Sequence, residues 1–251
     1  MAVLNIPSVS IALIDQDRIA WARAYGAGAT QDTLFQAASL SKFVAAVGAM
    51  RLVDAKRLSL DEDVNTGLTS WKVPANDFDK DHALTLRGLL SMTAGTGVLG
   101  FLGYELGAPL PTLTQILDGT PPANSPPVTA IAVPGSAYHY SGGGYEIAEA
   151  LMVDATHAPF AETMDSLVLK PAGMSRSTFA QPLPADLQAQ AATGHFAVGK
   201  ELPGGFHVFP STPRQGCGRR QRTSPIFCWC LAGPGAEKAG SFFCPTRRGR
   251  C

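Results

Sequence analysis

Cysteine is absent from the first 216 residues of this 251-residue chain. The five cysteines that the chain does have all fall in its last 35 residues, at positions 217, 228, 230, 244 and 251. An odd number of cysteines in one terminal segment is a poor basis for a disulfide framework. Cys228 and Cys230 also lack the Cys-x-x-Cys spacing and the second pair of a zinc site. The sequence therefore predicts neither a disulfide-stapled scaffold nor a bound metal.

The chain also lacks a charge imbalance and a long hydrophobic run. Twenty basic and twenty acidic side chains give a formal net charge of zero, so no basic surface or acidic tail indicates a nucleic-acid or membrane partner. No apolar run approaches the roughly 18 residues that indicate a transmembrane helix. The first residues have neither the basic leader nor the apolar core of a signal peptide, so the chain as written predicts a protein that stays in the cytoplasm.

What the chain does have is a serine followed three residues later by a lysine, at the start of a long apolar stretch. Between Leu40 and Val53 only Lys42 and Arg51 are charged, which predicts a buried helix that begins at Ser39. The helix N-terminus would offer N–H groups to an oxyanion, and a buried lysine is shifted toward its neutral, proton-accepting form. Together these features predict a nucleophile and its base. The same spacing also occurs by chance as a serine cap followed by a solvated lysine, so the pattern alone leaves both interpretations open.

Alternation of large and small side chains predicts a β-hairpin over residues 8–25. Capping threonines at positions 85 and 112 predict short helices over residues 86–92 and 113–118. Two further helices are predicted over residues 146–155 and from Pro159 to about residue 170.

Gly95-x-Gly97-x-x-Gly100 matches the dinucleotide-binding fingerprint by letter. The match is weak, because a helical stretch rather than a strand precedes it and no clear helix follows it. A nicotinamide enzyme is therefore a distant alternative, and no cofactor is expected.

Four stretches carry a family pattern, in order: residues 33–42 (TLFQAASLSK), 84–95 (LTLRGLLSMTAG), 134–145 (PGSAYHYSGGGY) and 167–178 (LVLKPAGMSRST). Together they resemble the serine β-lactamase and penicillin-binding protein superfamily, in its class C β-lactamase-like esterase and DD-peptidase branch. The resemblance covers roughly residues 6–210. It implies an α/β (α+β) fold of the β-lactamase/transpeptidase type, with an antiparallel sheet flanked by helices beside a mostly helical domain.

The resemblance also implies roles for individual residues. Ser39 would be the acyl-accepting nucleophile and Lys42 its proton partner, as in the Ser-x-x-Lys motif of the superfamily. Tyr140 matches the tyrosine of the Tyr-Ser-Asn motif and would carry the proton to the leaving group, with Ser141 and Gly142 at the substrate. From the residues alone, Tyr140 is better explained as a loop aromatic that packs on the domain.

The chain departs from the family pattern in three places. Gly142 stands where β-lactamases carry an asparagine, which favours a roomier site and esters over β-lactams. Met92 stands where many relatives have histidine, which we interpret as a change in packing. The third motif of the family, Lys-Thr-Gly or His-x-Gly on a late strand, has no convincing match.

The predicted domain organisation follows from these departures. Residues 1–60 are expected to form the N-terminal part of the α/β domain and residues 61–210 the mostly helical domain. Residues 211–251 change abruptly to a segment rich in cysteine and arginine without a helical or strand period. The hypothesis is that this tail comes from a shifted reading frame, that the C-terminal strands are missing, and that the hairpin is left with an exposed edge through which chains self-associate.

The sequence thus predicts a serine hydrolase that forms an acyl-enzyme on Ser39 from carboxylic esters or from peptidoglycan- or β-lactam-type amides. The alternative is an inactive or acyl-trapping remnant that binds such compounds without turnover. No metal, cofactor, nucleic acid or membrane is expected as a partner. Relatives implied by the resemblance are often exported, although this chain shows no leader.

Overall fold

The computed structural model describes residues 6–16, 18–26, 28–196 and 199–210, and the backbone of residues 229–230. The strands and helices, in chain order, are β1 (Ser8–Asp15), β2 (Arg18–Gly26), β3 (Phe35–Gln36), α1 (Leu40–Asp54), α2 (Val64–Gly67), α3 (Leu86–Ser91), α4 (Leu113–Asp118), α5 (Gly142–Thr156), α6 (Phe160–Met164), α7 (Ala185–Gln188) and β4 (Trp229–Cys230). A π-helical turn, Asp165–Leu169, continues α6.

Strands β1 and β2 form the predicted hairpin. They pair antiparallel, with Val9 opposite Tyr25 and Leu13 opposite Trp21, and the register shifts after Leu13. Large side chains alternate with small ones along both strands, so the large ones share one face of the pair. Leu13 and Trp21 remain substantially exposed there.

A second, two-residue pairing joins β3 to β4, with Phe35 opposite Cys230. The two residues of β4 are the part of segment 211–251 that the structure describes. The rest of the predicted cysteine- and arginine-rich tail, and any strand that would carry the third motif, lies outside the described residues.

Helix α1 begins where predicted, with Ser39 as its N-cap. The expectation that it is buried all round is wrong, because one side carries the exposed side chains of Leu40 and Phe43. Small residues let α1 approach its neighbours closely: a Cβ added at Gly48 would lie 2.6 Å from the Met164 Sδ atom of α6. Ala45, Ala49 and Leu52 of α1 are buried in the same hydrophobic core as Ile147 of α5. The core therefore joins the two helices that carry the candidate site.

Helix α5 begins four residues earlier than predicted. We expected a glycine loop up to residue 145, but the helix already starts at Gly142, because the Ser141 hydroxyl caps it by accepting a hydrogen bond from the Gly144 N–H at 2.9 Å. The glycines serve close packing here. A Cβ at Gly143 would lie 2.7 Å from the carbonyl oxygen of Gly97, which is closer than packed atoms allow.

The two predicted capping threonines are confirmed. Thr85 caps α3, and Thr112 forms a capping box with Gln115 at the start of α4, which ends at Gly119. The four-residue helices α2 and α7 were not predicted, because one helical turn has too short an apolar period to be recognised.

The predicted division of residues 1–210 into two domains stays a prediction. No helix among the described residues is long and apolar enough to span a membrane.

Candidate active site

The Ser39 side chain points away from the helix that it starts. As the N-cap of α1 it could accept a hydrogen bond from the first turn, but its hydroxyl makes no capping bond. Instead, Ser39 Oγ lies 2.7 Å from the hydroxyl oxygen of Tyr140, which is 101 positions later in the chain. The residue before it, Ala38, has a φ of 51°, which is unfavourable for a side chain with a Cβ. Backbone strain of this kind tends to occur at functional sites.

Tyr140 is positioned from both sides. Before it, the His139 N–H donates a hydrogen bond to the Met92 carbonyl oxygen at 2.8 Å. After it, Ser141 is tied down as the N-cap of α5, since its hydroxyl also donates to the Gly97 carbonyl oxygen at 2.7 Å. The loop between α4 and α5, anchored at Met92 and Gly97, therefore delivers the Tyr140 hydroxyl to the start of α1.

Lys42 lies one turn into α1 and is only 4% exposed. Its Nζ atom has no hydrogen-bond partner among the described residues, and it lies 5.2 Å from the ring centroid of Tyr140 and 5.7 Å from that of Tyr145. Burial lowers the pKa of Lys42 from 10.5 to about 7, although the negative charge of Glu146 acts in the opposite direction. A substantial fraction of this amine is therefore neutral near pH 7.

The structure separates Tyr140 from Tyr138, a second tyrosine two residues upstream. Tyr138 is 65% exposed, and its hydroxyl donates to the Met92 sulfur at 3.4 Å. Met92 thus stands beside the loop as a packing and hydrogen-bonding partner. Only the hydroxyl of Tyr140, of the two, contacts Ser39.

The two residues predicted to bind substrate are buried in this structure. The Ser141 hydroxyl is committed to the α5 cap, and the residue is 2% exposed. The Gly142 N–H donates to the Leu99 carbonyl oxygen at 3.2 Å. Substrate binding by Ser141 and Gly142 stays a prediction.

Sequence reasoning missed two residues at this site, Tyr145 and Glu146. Tyr145 is buried, and its hydroxyl donates to the Leu90 carbonyl oxygen at 3.1 Å. Burial raises the pKa of Tyr145 to about 12, and the neighbouring Tyr140 and Tyr138 act in the same direction. Glu146 is fully buried in α5. The signal that could have found Glu146 is an acidic residue among the apolar and small residues of α5, since a buried carboxylate needs a compensating partner.

The glycine pattern at Gly95, Gly97 and Gly100 does not have the structure of a dinucleotide-binding turn. The stretch from Gly95 to Gly100 is irregular, and the next helix, α4, begins only at Leu113. A dinucleotide fold needs a helix immediately after the glycines to hold the pyrophosphate, so this stretch does not have the required context. Within the described part of the chain, no group of three or more histidine, cysteine, aspartate or glutamate side chains could hold a metal ion.

The fold is that of the β-lactamases and penicillin-binding proteins. The structure of the octameric penicillin-binding protein homologue from Pyrococcus abyssi superposes with a TM-score of 0.67 at 22% identity, covering 92% of this chain and 51% of that chain. The β-lactamase/D-alanine carboxypeptidase from Yersinia pestis, complexed with citrate, superposes with a TM-score of 0.61 at 16% identity, covering 92% and 60%. The predicted fold class is therefore confirmed.

The sequence agrees with the fold. The family described as Beta-lactamase matches residues 1–233, and the chain belongs to this family. Esterase EstB from Burkholderia gladioli is 30% identical over 163 residues, which are 61% of this chain and 40% of EstB. The chain thus spans well under two thirds of the length of these relatives. The family match also runs past residue 210, where we had placed the end of the resemblance.

Proposed function

We propose that this protein is a serine hydrolase that forms an acyl-enzyme on Ser39. The observation that carries the proposal is the 2.7 Å contact between Ser39 Oγ and the Tyr140 hydroxyl beside the buried amine of Lys42. Nucleophilic catalysis needs a hydroxyl within hydrogen-bond reach of a proton acceptor. Membership of the Beta-lactamase family supports the same chemistry.

In the proposed reaction, Ser39 Oγ attacks the substrate carbonyl while its proton passes to the neutral amine of Lys42 by way of Tyr140. The Ser39 N–H at the α1 N-terminus would stabilise the oxyanion that forms. The carbon–oxygen bond to the leaving group then breaks, and the Tyr140 hydroxyl returns the proton to the departing oxygen. Water attacks the acyl-Ser39 ester in the reverse sequence and releases the acid.

Carboxylic esters are the substrate class that this chain favours. Gly142 provides no side-chain amide to bind the amide of a β-lactam or a peptide, and the sequence relative EstB is named an esterase. Peptidoglycan- and β-lactam-type amides are the second candidate class, because the Yersinia pestis neighbour with the same fold is named a β-lactamase/D-alanine carboxypeptidase.

The alternative is a remnant that becomes acylated once and does not turn over. The two are distinguished by incubating the protein with a short-chain nitrophenyl ester and with nitrocefin, and counting product released per chain. A hydrolase releases many equivalents, whereas a remnant releases one and stops. A Ser39→Ala variant prepared in parallel corrects for contaminating esterase.

We also propose that the hairpin mediates self-association. In the described residues, β1 and β2 pair only with each other, and exposed apolar side chains line the pair: Ile11, Leu13, Ile14, Trp21 and Tyr25. Apolar strand edges of this kind tend to pair with other chains. Sedimentation velocity over a range of concentrations should show oligomers that Leu13→Lys dissociates. A monomer at every concentration would contradict the proposal.

A further inference from the structure

We infer that Glu146 is a positioning residue of the active site: its buried carboxylate on α5 faces the Lys42 amine of α1 as its counter-charge and sets the protonation state from which Lys42 accepts the serine proton. The inference rests on the function proposed above. It concerns a residue that neither of the two sequence motifs of the site includes.

The first argument is the placement of Glu146. It follows directly after Tyr145, whose ring centroid lies 5.7 Å from Lys42 Nζ, and α1 packs against α5. The Glu146 side chain is 0% exposed. Four charged side chains are buried in the described part of the chain: Lys42, Glu146, Glu149 and Asp154. Lys42 is the one cation among them.

The second argument is energetic. A carboxylate or an ammonium transferred alone into a protein interior is strongly disfavoured, whereas an opposite charge nearby offsets part of that cost. Asp154 is already compensated by the N–H groups of Thr69 and Ser70, which donate to its carboxylate at 2.6 and 2.9 Å. Glu146 acts on Lys42 instead, since its charge raises the pKa of Lys42 against the effect of burial.

The consequence is a balance that fits the task of Lys42. Burial alone would lower the pKa of Lys42 further and make the amine a weaker base, whereas a free lysine would be fully protonated near pH 7. Burial opposed by Glu146 holds the pKa of Lys42 at about 7, which is where a general base works best at neutral pH.

The elements packed against α1 carry other titratable groups. Tyr138, Tyr140, Tyr145 and Glu149 lie on the loop and helix that pack against α1 from one side, and Glu162, Asp165 and Lys170 lie on α6 and the turn after it. Asp165 and Lys170 form an exposed ion pair at 2.6 Å. Burial raises the pKa of Tyr145 to about 12, so its hydroxyl carries no charge near pH 7. Glu149, like Glu146, is a buried glutamate of α5, and it therefore supplies the matched control.

The first test is the pH dependence of Ser39 acylation in Glu146→Gln, which removes the charge but keeps the size. With the counter-charge gone, the midpoint of the acidic limb should fall by about 1 pH unit, the lower end of the effect of a neighbouring opposite charge. Starting from a midpoint of about 7, the acylation rate at pH 6 should then rise about fivefold. The plateau at high pH should be no higher, because a less basic amine is a weaker proton acceptor.

Two controls separate this effect from a general loss of structure. Glu149→Gln should keep the parent midpoint, and Glu146→Asp should keep a midpoint close to it, because the charge is retained. A Glu146→Gln profile with the parent midpoint, or a shift equally large in Glu149→Gln, would overturn the inference.

The second test does not depend on acylation or on any variant folding well. In parent protein with ¹³C- and ¹⁵N-labelled lysine and glutamate, NMR should show the Lys42 signal titrating near pH 7 and the Glu146 carboxyl carbon shifting at the same pH. If the Glu146 carboxyl carbon does not shift at the pH where Lys42 titrates, the inference that Glu146 is the counter-charge of Lys42 is overturned. If Lys42 and Glu146 titrate together but Ser39 cannot be acylated, Glu146 is still the counter-charge of Lys42, and only the proposed function is refuted.

Discussion

The most informative single substitution is Tyr140→Phe. It deletes one oxygen atom, the one that lies 2.7 Å from Ser39 Oγ, and leaves the ring that lies 5.2 Å from Lys42 Nζ. If Tyr140 carries the proton between serine, lysine and leaving group, its loss should slow acylation by about 10²- to 10⁴-fold, the usual contribution of a general acid–base group. A 10²-fold loss corresponds to about 2.7 kcal/mol of transition-state stabilisation.

The stability cost should be much smaller. The deleted hydroxyl makes one partly buried hydrogen bond, which is worth about 0.5–1.5 kcal/mol, and the phenyl ring keeps its packing. The free energy of unfolding and the activation free energy of acylation should therefore change by clearly different amounts. A structural role for Tyr140 would change the two together or would change only stability.

The assay is the single-turnover rate at which a fluorophosphonate or an activated ester labels the protein, measured beside urea unfolding. Tyr138→Phe is the matched control, because it also deletes a tyrosine hydroxyl, two residues before Tyr140. That hydroxyl bonds the Met92 sulfur. The labelling rate of Tyr138→Phe should equal that of the parent. If Tyr140→Phe also labels at the parent rate, Tyr140 is a packing residue and the proposed proton path is wrong.

Two further predictions concern the helix that supports the site. Asp154→Asn should destabilise the fold by about 2 kcal/mol. Burial alone would raise the pKa of Asp154, but hydrogen bonds from the Ser70 and Thr69 N–H groups outweigh burial and lower that pKa. The stabilisation from the Asp154 carboxylate is therefore present at neutral pH and is lost as the pH falls through the folded pKa. Urea unfolding at pH 7 and pH 3 should show the difference between parent and variant shrinking in acid, and a constant difference would contradict this. Gly143→Ala should destabilise by about 1–3 kcal/mol, since its Cβ would lie 2.7 Å from the Gly97 carbonyl oxygen, whereas a gain of the kind seen at exposed helix glycines would show that the helix is not so closely packed.

The parts of the fold that the sequence predicted well are those controlled by neighbours in the chain. Thr85 and Thr112 cap helices through hydrogen bonds that span three residues, and Gly119 ends α4 with a φ of 64°. These interactions depend only on local residue order, so a sequence pattern is sufficient to find them. Helix α1 was recognised from its apolar composition, but that composition overstated its burial, because Leu40 and Phe43 remain exposed.

The start of α5 could not be predicted in this way. Three glycines in succession disfavour a helix by their intrinsic propensity. Here the Gly97 carbonyl oxygen and Val128 pack directly on Gly143, and those contacts come from parts of the chain that the local sequence does not reveal. Tertiary packing therefore overrides the local preference.

The same distinction applies to the site. The pairing of Ser39 with Lys42 could be predicted, since both lie in one turn of α1. The contact between Ser39 and Tyr140 joins residues 101 positions apart, and only the family resemblance indicated it. Glu146 had no such resemblance to indicate it, and its relation to Lys42 emerges only when α5 packs on α1.

The central claim is that Ser39 is the acyl-accepting residue, and mapping the labelled residue tests it most directly. After reaction with a fluorophosphonate or a fluorescent penicillin, proteolysis and mass spectrometry should locate the label on Ser39. Ser39→Ala should abolish labelling, whereas Ser41→Ala, which alters a fully buried serine of the same turn, should preserve it. A label on Ser41 or on any other residue, or a label that persists in Ser39→Ala, would contradict the account.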